Sequence, residues 1–314
     1  MLVHGATHGL FVGGSLNRRA IDSRPAAQGI IRERRPQGCG GVSHSQDILR
    51  TLIRKFLAPV TSNTPLAAPG HYVMTFHAPE LAAEARPGSF VAISALGAVQ
   101  ILRRPFSVFS ADPETGEASI LYNAVGQTSS FLAARQPGDY LDMLGPLGGH
   151  LFQADPRPGT RHIMVGGGYG VPPLVFLAKT IRDAAPDAEM IFINGARTRD
   201  FLVGTESVES LGAQLLLTTD DGSHGLQGRV TAALEPLLAA RKVTHVYTCG
   251  PTPMMRAVAE MSIAAGVPCQ VSLEVFMPCG MGICMGCAVK RPDGTYARGC
   301  FEGPVFEAWE VVWE

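Results

Sequence analysis

Several features that would place a chain at once are missing from this 314-residue sequence. No apolar run approaches the ~18 residues of a membrane-crossing helix, although mean hydropathy is +0.14. Neither charge sign dominates. Twenty-six basic residues against 27 acidic ones leave a net charge of −1, which argues against a nucleic-acid binder relying on bulk charge. Charged residues make up only 17% and apolar ones 46%, so wholesale disorder is excluded. The first 45 residues show neither helical nor strand periodicity, and Leu10-Phe11-Val12 is shorter than the apolar core of a secretory signal. The glycine spacing G-x-G-x-x-G is absent, and the seven cysteines are an odd number.

What is present is turn-rich and unevenly charged. Gly occurs 36 times and Pro 23 times. Residues 1–55 hold nine Lys/Arg and three acidic residues, a net +6, leaving −7 for the rest. This head reads as a disordered extension or a wrongly assigned start; an organelle transit segment fits the Arg excess but not the sparse Ser. Ser45 to Leu57 is expected to form a short amphipathic helix, with Ile48, Leu49, Leu52, Ile53 and Phe56 on one face. From there to about residue 156 short apolar strands (His71–Phe76, Phe90–Ile93, Phe106–Phe109, Ala118–Tyr122) alternate with Gly/Pro/Asp turns, which predicts a small antiparallel barrel.

The period then changes. Strands at His162–Val165, Met190–Asn194, Gln214–Thr219, His245–Thr248 and Gln270–Leu273 alternate with helices at Pro172–Ala184, Arg229–Arg241 and Pro251–Ala265. That order predicts a doubly wound parallel sheet over 157–270. Residues 271–314 are cysteine- and glycine-rich, with little room for a core of their own, and read as a small cofactor-bound appendix. Four units result: 1–55, 56–156, 157–270 and 271–314.

The strongest signal is Cys279, Cys284, Cys287 and Cys300, spaced C-x4-C-x2-C-x12-C as in plant-type [2Fe–2S] sites. Two tetrahedral irons sharing bridging sulfides need two thiolates each. Gly280, Gly282 and Gly286 let the loop close tightly and aim backbone N–H groups at sulfur. A structural zinc site and disulfides are the alternatives; the first favours paired C-x2-C knuckles, the second an even count in a secreted chain. Cys39 reads as a plain thiol and Cys269 as core.

The strand ending at Val165 runs into Gly166-Gly167-Gly168-Tyr169-Gly170-Val171-Pro172-Pro173. A glycine loop between strand and helix brings bare amides and a positive helix end to a pyrophosphate; a tight structural turn is the plain alternative. Asp220 and Asp221 follow the third strand and suit an adenosine ribose or a turn equally. Arg104-Pro105-Phe106-Ser107 sets a cation, a rigid turn and a small hydroxyl at the start of a barrel strand, suited to gripping phosphate beside a ring system.

Taken in order, barrel motif, glycine loop, Cys249-Gly250-Pro251 and four cysteines, the chain resembles the ferredoxin–NADP reductase superfamily over roughly residues 57–314. Its ending, from Ser272-Leu273-Glu274 through Cys300-Phe301-Glu302-Gly303-Pro304, resembles the electron-transfer subunits of NAD-linked, type B dihydroorotate dehydrogenases. The resemblance implies FAD contacts at Arg104, Pro105, Phe106 and Ser107, a flavin lining of Leu121, Tyr122 and Asn123, and Thr128 and Ser129 at the FAD pyrophosphate. It implies the NAD pyrophosphate at Gly166, Gly167, Gly168 and Gly170, with Cys249 near the nicotinamide and Ser107 and Cys249 as the catalytic pair. Two departures stand out: Thr128 replaces a glycine of the usual Gly-x-Gly-Thr, and Asn123 stands where a basic residue is common.

The implied activity is a relay from the FMN of a catalytic partner subunit, through the cluster and FAD, to NAD+, in pyrimidine synthesis. Two copies of each subunit in the cytoplasm are expected. The alternatives are another NAD(P)H-linked flavin and iron–sulfur subunit, ferredoxin- or sulfide-linked, and a non-catalytic zinc-stabilised binding module. Phe301, Val305, Phe306, Trp309 and Trp313 surround the cysteines in sequence and are candidates for the partner interface or for packing onto the barrel.

Overall fold

The computed structural model describes residues 53–95, 101–155, 157 and 159–313. Six strands, β1 (Arg54–Pro65), β2 (His71–His77), β3 (Phe90–Ser94), β4 (Arg104–Asp112), β5 (Glu117–Asn123) and β6 (Tyr140–Leu147), close an antiparallel barrel in the order β1-β2-β5-β4-β3-β6. Alternation fills it: Met74 and Phe76 on β2, Val91 and Ile93 on β3, and Leu141 and Met143 on β6 are all buried in one cluster. Helix α1 (Pro79–Glu84) sends Leu81 into that cluster, and α2 (Gln127–Ala133) sends Leu132.

The helix expected at Ser45–Leu57 is corrected here. Its first part lies outside the described residues, but Arg54 to Leu57 belong to β1, paired with Gly145 to Asp142 of β6. Closing the barrel requires a partner for the free edge of β6, and pairing overrides a weak local helical pattern. Lys55 is 3.3 Å from the Asp142 carboxylate, and exposed Ile53, Lys55 and Leu57 alternate with half-buried Arg54 and Phe56, where the helical face would have buried Ile53 together with Phe56.

The second layer is a seven-stranded sheet in the order β10-β9-β8-β7-β11-β12-β15. Its strands are β7 (Arg161–Gly167), β8 (Glu189–Ala196), β9 (Gln214–Thr219), β10 (Leu226–Gln227), β11 (His245–Cys249), β12 (Cys269–Ser272) and β15 (Val305–Glu307). All neighbours are parallel except β12 and β15, so the sheet is mixed, because the C-terminal segment returns and lays one antiparallel strand along β12. Ile163 and Val165 face α5 (Val230–Ala239) and α6 (Thr252–Ala264); Met164 and Phe192 face α3 (Val171–Ala184) and α4 (Thr205–Ser210). Both faces are covered, which is why these strands read as continuous apolar runs. Strand order reverses beside β7, with β8 on one side and β11 on the other, so the crevice for a ligand opens at their carboxyl ends.

The cysteine-rich segment forms only a hairpin, β13 (Ala288–Lys290) with β14 (Tyr296–Arg298). Its core is borrowed: Met277, Cys287 and Cys300 pack with Phe90, Ala92 and Leu147 of the barrel. The link from barrel to sheet is tied to the same segment, since the Gly149 N–H donates to the Gly303 carbonyl at 2.8 Å. A Cβ at Gly149 would lie 1.9 Å from the Phe301 carbonyl oxygen, so only glycine fits there.

At the opposite end of the sheet His162, His245 and Tyr247 stack at centroid distances of 6.0, 5.9 and 6.2 Å. Burial holds both imidazole pKa values below the ordinary 6.5, against an opposing pull from Asp155. The unfolded chain takes up protons near pH 6.5 where the folded chain resists them. The stability these residues allow is therefore full above that value and falls as pH drops through it. The urea midpoint is expected to fall between pH 7 and pH 5, and His162→Phe is expected to flatten that slope; an unchanged slope in the variant would assign the acid sensitivity elsewhere.

Candidate flavin, nucleotide and iron–sulfur sites

A cavity of about 410 Å³ lies between barrel and sheet. Arg104, Pro105, Phe106 and Ser107 open β4 along one wall, Leu121, Tyr122 and Asn123 close β5 beside them, and residues 125–129 form the rim at the start of α2. Pairing of β3 with β4 sets Ser107 opposite Phe90, another wall residue. The sheet contributes Tyr169, Pro172 and Cys249; the strand exit contributes Ser272, Glu274, Val275 and Met277. Ten residues singled out from sequence, Arg104 to Ser107, Leu121 to Asn123, Thr128, Ser129 and Cys249, therefore share one cavity.

Their surroundings define their chemistry. The Asn123 amide lies 3.3 Å from His71 Nε2, and His71 Nδ1 lies 3.0 Å from the Pro69 carbonyl. Nδ1 must carry the proton there, so Nε2 accepts from the amide and fixes its orientation. The Ser129 hydroxyl accepts N–H donations from Val125 at 3.0 Å and Gly126 at 2.9 Å, shaping the turn into α2. Thr128 is buried beside it.

Gly166, Gly167, Gly168 and Gly170 lie at the carboxyl end of β7, outside the cavity wall, where only their neighbour Tyr169 reaches in. Their loop touches the one after β11 backbone to backbone. A Cβ on Gly170 would lie 2.0 Å from the Cys249 carbonyl oxygen, and one on Gly250 (φ +149°) 2.9 Å from the Gly167 carbonyl oxygen. This paired glycine cradle sits where strand order reverses, the place at which a parallel sheet of this kind receives a ligand. Asp221 accepts the Ser223 N–H and hydroxyl at 3.0 and 2.6 Å, the turn chemistry that was one of its two expected roles, while Asp220 stands exposed just after β9.

Burial and the nearby Glu274 carboxylate push the Cys249 thiol well above its usual range, so it stays a neutral thiol. The Glu274 side chain opens onto the cavity, yet the protein around it desolvates the carboxyl and raises its pKa. Burial and Glu274 raise Tyr169 as well. Sequence reasoning missed Glu274, Tyr169 and Met277 as wall residues. No local pattern marks them, because the wall exists only once the chain leaving β12 crosses the barrel mouth.

The four cysteines come together as two pairs. Cys287 and Cys300 lie 3.3 Å apart across the β13–β14 hairpin, and the Cys279 thiol meets that of Cys284. Backbone N–H groups point at sulfur: Gly282 at Cys300 at 3.1 Å, Met281 at Cys279 at 3.4 Å, Gly286 at Cys284 at 3.4 Å. Burial opposes ionisation of Cys279, but the N–H groups of Met281, Cys284 and Ile283 outweigh it and bring the thiol down to about 6. Burial and the adjacent Cys287 push Cys300 up to about 12, the crowding that a cation between two thiolates relieves. Among the described residues no three candidate ligands converge on a single-ion site. Two thiol pairs with N–H donors aimed at their sulfurs suit an iron–sulfur cluster.

The apolar residues expected around the cysteines divide between buried and exposed positions. Val305 and Phe306 are buried on β15, Phe301 and Trp313 are half-buried, and only Trp309 is exposed. The exposed apolar side chains near the cysteines are Phe276 (69% exposed), Ile283 (76%) and Met285. Among the described residues no helix is long and apolar enough to cross a membrane. Cys39 lies outside the described residues.

A barrel cavity fused to a glycine-cradled nucleotide sheet, with cysteines packed against the barrel, defines an iron–sulfur oxidoreductase of the ferredoxin–NADP reductase build. Residues 164–260 match the oxidoreductase NAD-binding domain, and 274–312 match the iron–sulfur cluster binding domain of dihydroorotate dehydrogenase B. The chain belongs to the electron-transfer subunits of dihydroorotate dehydrogenase B (NAD(+)). It is 37% identical over 254 residues to that subunit from Desulforamulus reducens, covering 79% of this chain and 95% of the relative. It is 40% identical over 262 residues to that of Caldanaerobacter subterraneus, covering 82% and 98%. A solved structure of an NADH-dependent reduced ferredoxin-NADP oxidoreductase superposes with a TM-score of 0.72 at 32% identity, covering 82% of this chain and 90% of that one.

Proposed function

We propose that this chain carries the two electrons of dihydroorotate oxidation from the FMN of a catalytic partner subunit to NAD+, by way of a [2Fe–2S] cluster and an FAD. The oxidation releases two electrons and two protons; NAD+ takes both electrons with one proton as hydride, and the second proton goes to solvent. A bound flavin supplies the conversion between single-electron and hydride chemistry. In this reading Arg104 to Ser107, Leu121 to Asn123, Thr128 and Ser129 hold the FAD in the cavity. Gly166, Gly167, Gly168 and Gly170 receive the NAD pyrophosphate, Cys249 stands at the nicotinamide with Ser107 across the cavity, and Cys279, Cys284, Cys287 and Cys300 hold the cluster. The corresponding division of the chain is a flavin barrel that starts with β1 at Arg54, two residues earlier than the sequence suggested, and runs to about 156, a nucleotide domain over 157–270 and a cluster segment over 271–314.

The observation that carries the reading is a shared wall. Phe90 and Met277 line the cavity and also pack against Cys287 and Cys300, so one layer of side chains separates the two cofactor positions. Phe276, Ile283 and Met285 give the cluster side an apolar surface on which the catalytic subunit docks, with two copies of each subunit in the assembly. Clusters held by thiolates suit the reducing cytoplasm.

A second reading, ferredoxin-linked NAD(P)H chemistry, draws support from the 32% identity to the ferredoxin-NADP oxidoreductase. One experiment separates them: co-purification with the catalytic dihydroorotate dehydrogenase subunit and assay of dihydroorotate-dependent NAD+ reduction. Activity only in the complex is expected. A yellow-brown protein that binds no such partner but reduces NAD(P)+ from reduced ferredoxin would replace the first reading with the second.

A further inference from the structure

We infer that Arg298 is a positioning residue of the iron–sulfur site: by holding Gly282 it keeps a hydrogen-bond donor on Cys300, and with Glu302 it sets the local charge. The inference rests on the cysteines binding a cluster, as proposed above, and concerns what tunes it.

The hairpin puts Arg298 in register with Ala288, the residue after Cys287, and two residues before Cys300. From there the guanidinium folds back across the cysteine loop, and Nη1 donates to the Gly282 carbonyl oxygen at 2.6 Å. Gly282 sits at φ +78°, where a Cβ would lie 2.8 Å from the Phe301 ring, so this residue has no alternative side chain and little freedom to move. Its own N–H donates to Cys300 Sγ at 3.1 Å. One guanidinium therefore fixes the residue whose N–H meets Cys300.

Arg298 is itself fixed. Nε lies 3.1 and 2.9 Å from the two Glu302 carboxylate oxygens, Nη2 donates to Glu302 as well, and the Arg298 backbone N–H donates to it at 2.6 Å. The plane stacks 4.3 Å over the Phe301 ring. This geometry needs the planar fork of arginine; lysine keeps the charge and loses the fork. Charge near a cluster and hydrogen bonds to its sulfurs both set its potential, a positive charge favouring the reduced, more negative state. Removing Arg298 leaves Glu302 uncompensated; removing the Glu302 charge leaves Arg298 uncompensated.

The test is the cluster midpoint potential and EPR spectrum of full-length wild type, Arg298→Met, Arg298→Lys and Glu302→Gln, with iron and sulfide analysis of each. Arg298→Met is expected to shift the potential negative and Glu302→Gln positive, while Arg298→Lys stays nearer wild type in potential but alters the EPR line shape. A residue that only braces the loop would move both charge variants in the same direction or in neither, and either result overturns the inference. If Arg298→Met fails to load, Glu302→Gln and Arg298→Lys decide by the same criteria. A wild type without iron and sulfide would instead overturn the cluster reading.

Discussion

Replacing Cys284 by serine is expected to abolish dihydroorotate-driven NAD+ reduction in the assembled complex while NADH still reduces the bound flavin at the wild-type rate. Cys284 is the exposed member of the quartet, paired with Cys279 and capped by the Gly286 N–H. Losing an outer-shell partner of a metal ligand typically costs ~10–100-fold in affinity or activity, and losing a soft thiolate ligand itself costs more. The flavin cavity does not depend on that side chain. Its wall from Ser272 to Met277 is anchored by β12, by β15 and by packing of Met277 on Phe90 and Leu147. Iron and sulfide content, stopped-flow flavin bleaching by NADH and the coupled assay together check the split. Loss of flavin reduction as well would mean that the cysteine loop holds up the cavity and is more than the relay's entry point.

Ser107→Ala is expected to slow NADH-driven flavin reduction about 10²-fold, the usual cost of one preorganised hydrogen-bond donor at a reacting centre. FAD affinity should change by less than about tenfold, the value of one ordinary hydrogen bond. The asymmetry follows from placement. In the proposed arrangement Arg104, Pro105 and Phe106 remain to grip the cofactor, whereas Ser107 is the hydroxyl brought by β4 into the cavity that Cys249 and Glu274 enter from the sheet side. Stopped-flow rates beside FAD titrations measure both quantities. Equal rates in wild type and variant would remove Ser107 from the reacting centre.

The same two residues show how far a linear reading reaches. The spacing around Cys284 is local chemistry: four thiols within 22 residues, separated by glycines, can only close on one another, and they do so through a hairpin of two three-residue strands. The positions of Arg104 to Ser107 at the start of β4 and of Gly166 to Gly170 at the exit of β7 were legible for a similar reason, since a strand start and a strand-to-helix loop are each marked by contiguous residues. Strand β1 was not legible. Its residues alternate weakly, and the open edge of β6 makes them a strand. Nor was β6, whose Gly145-Pro146 reads as a turn when taken alone.

By itself the sequence determined the class: a barrel followed by an α/β sheet, a glycine loop at the sheet's first strand, and four closely spaced cysteines near the end. These follow from period, from turn residues and from ligand spacing, all of which act over a few residues. Tertiary structure alone decided what those parts do to one another. It brought Glu274 and Tyr169 beside Cys249, laid β15 antiparallel along β12, put Phe90 and Met277 between cavity and cysteines, and folded Arg298 onto Gly282. Each of these joins residues from different elements. Such contacts depend on how the barrel, sheet and hairpin bury their apolar faces together, a property of the packed whole that no local pattern encodes.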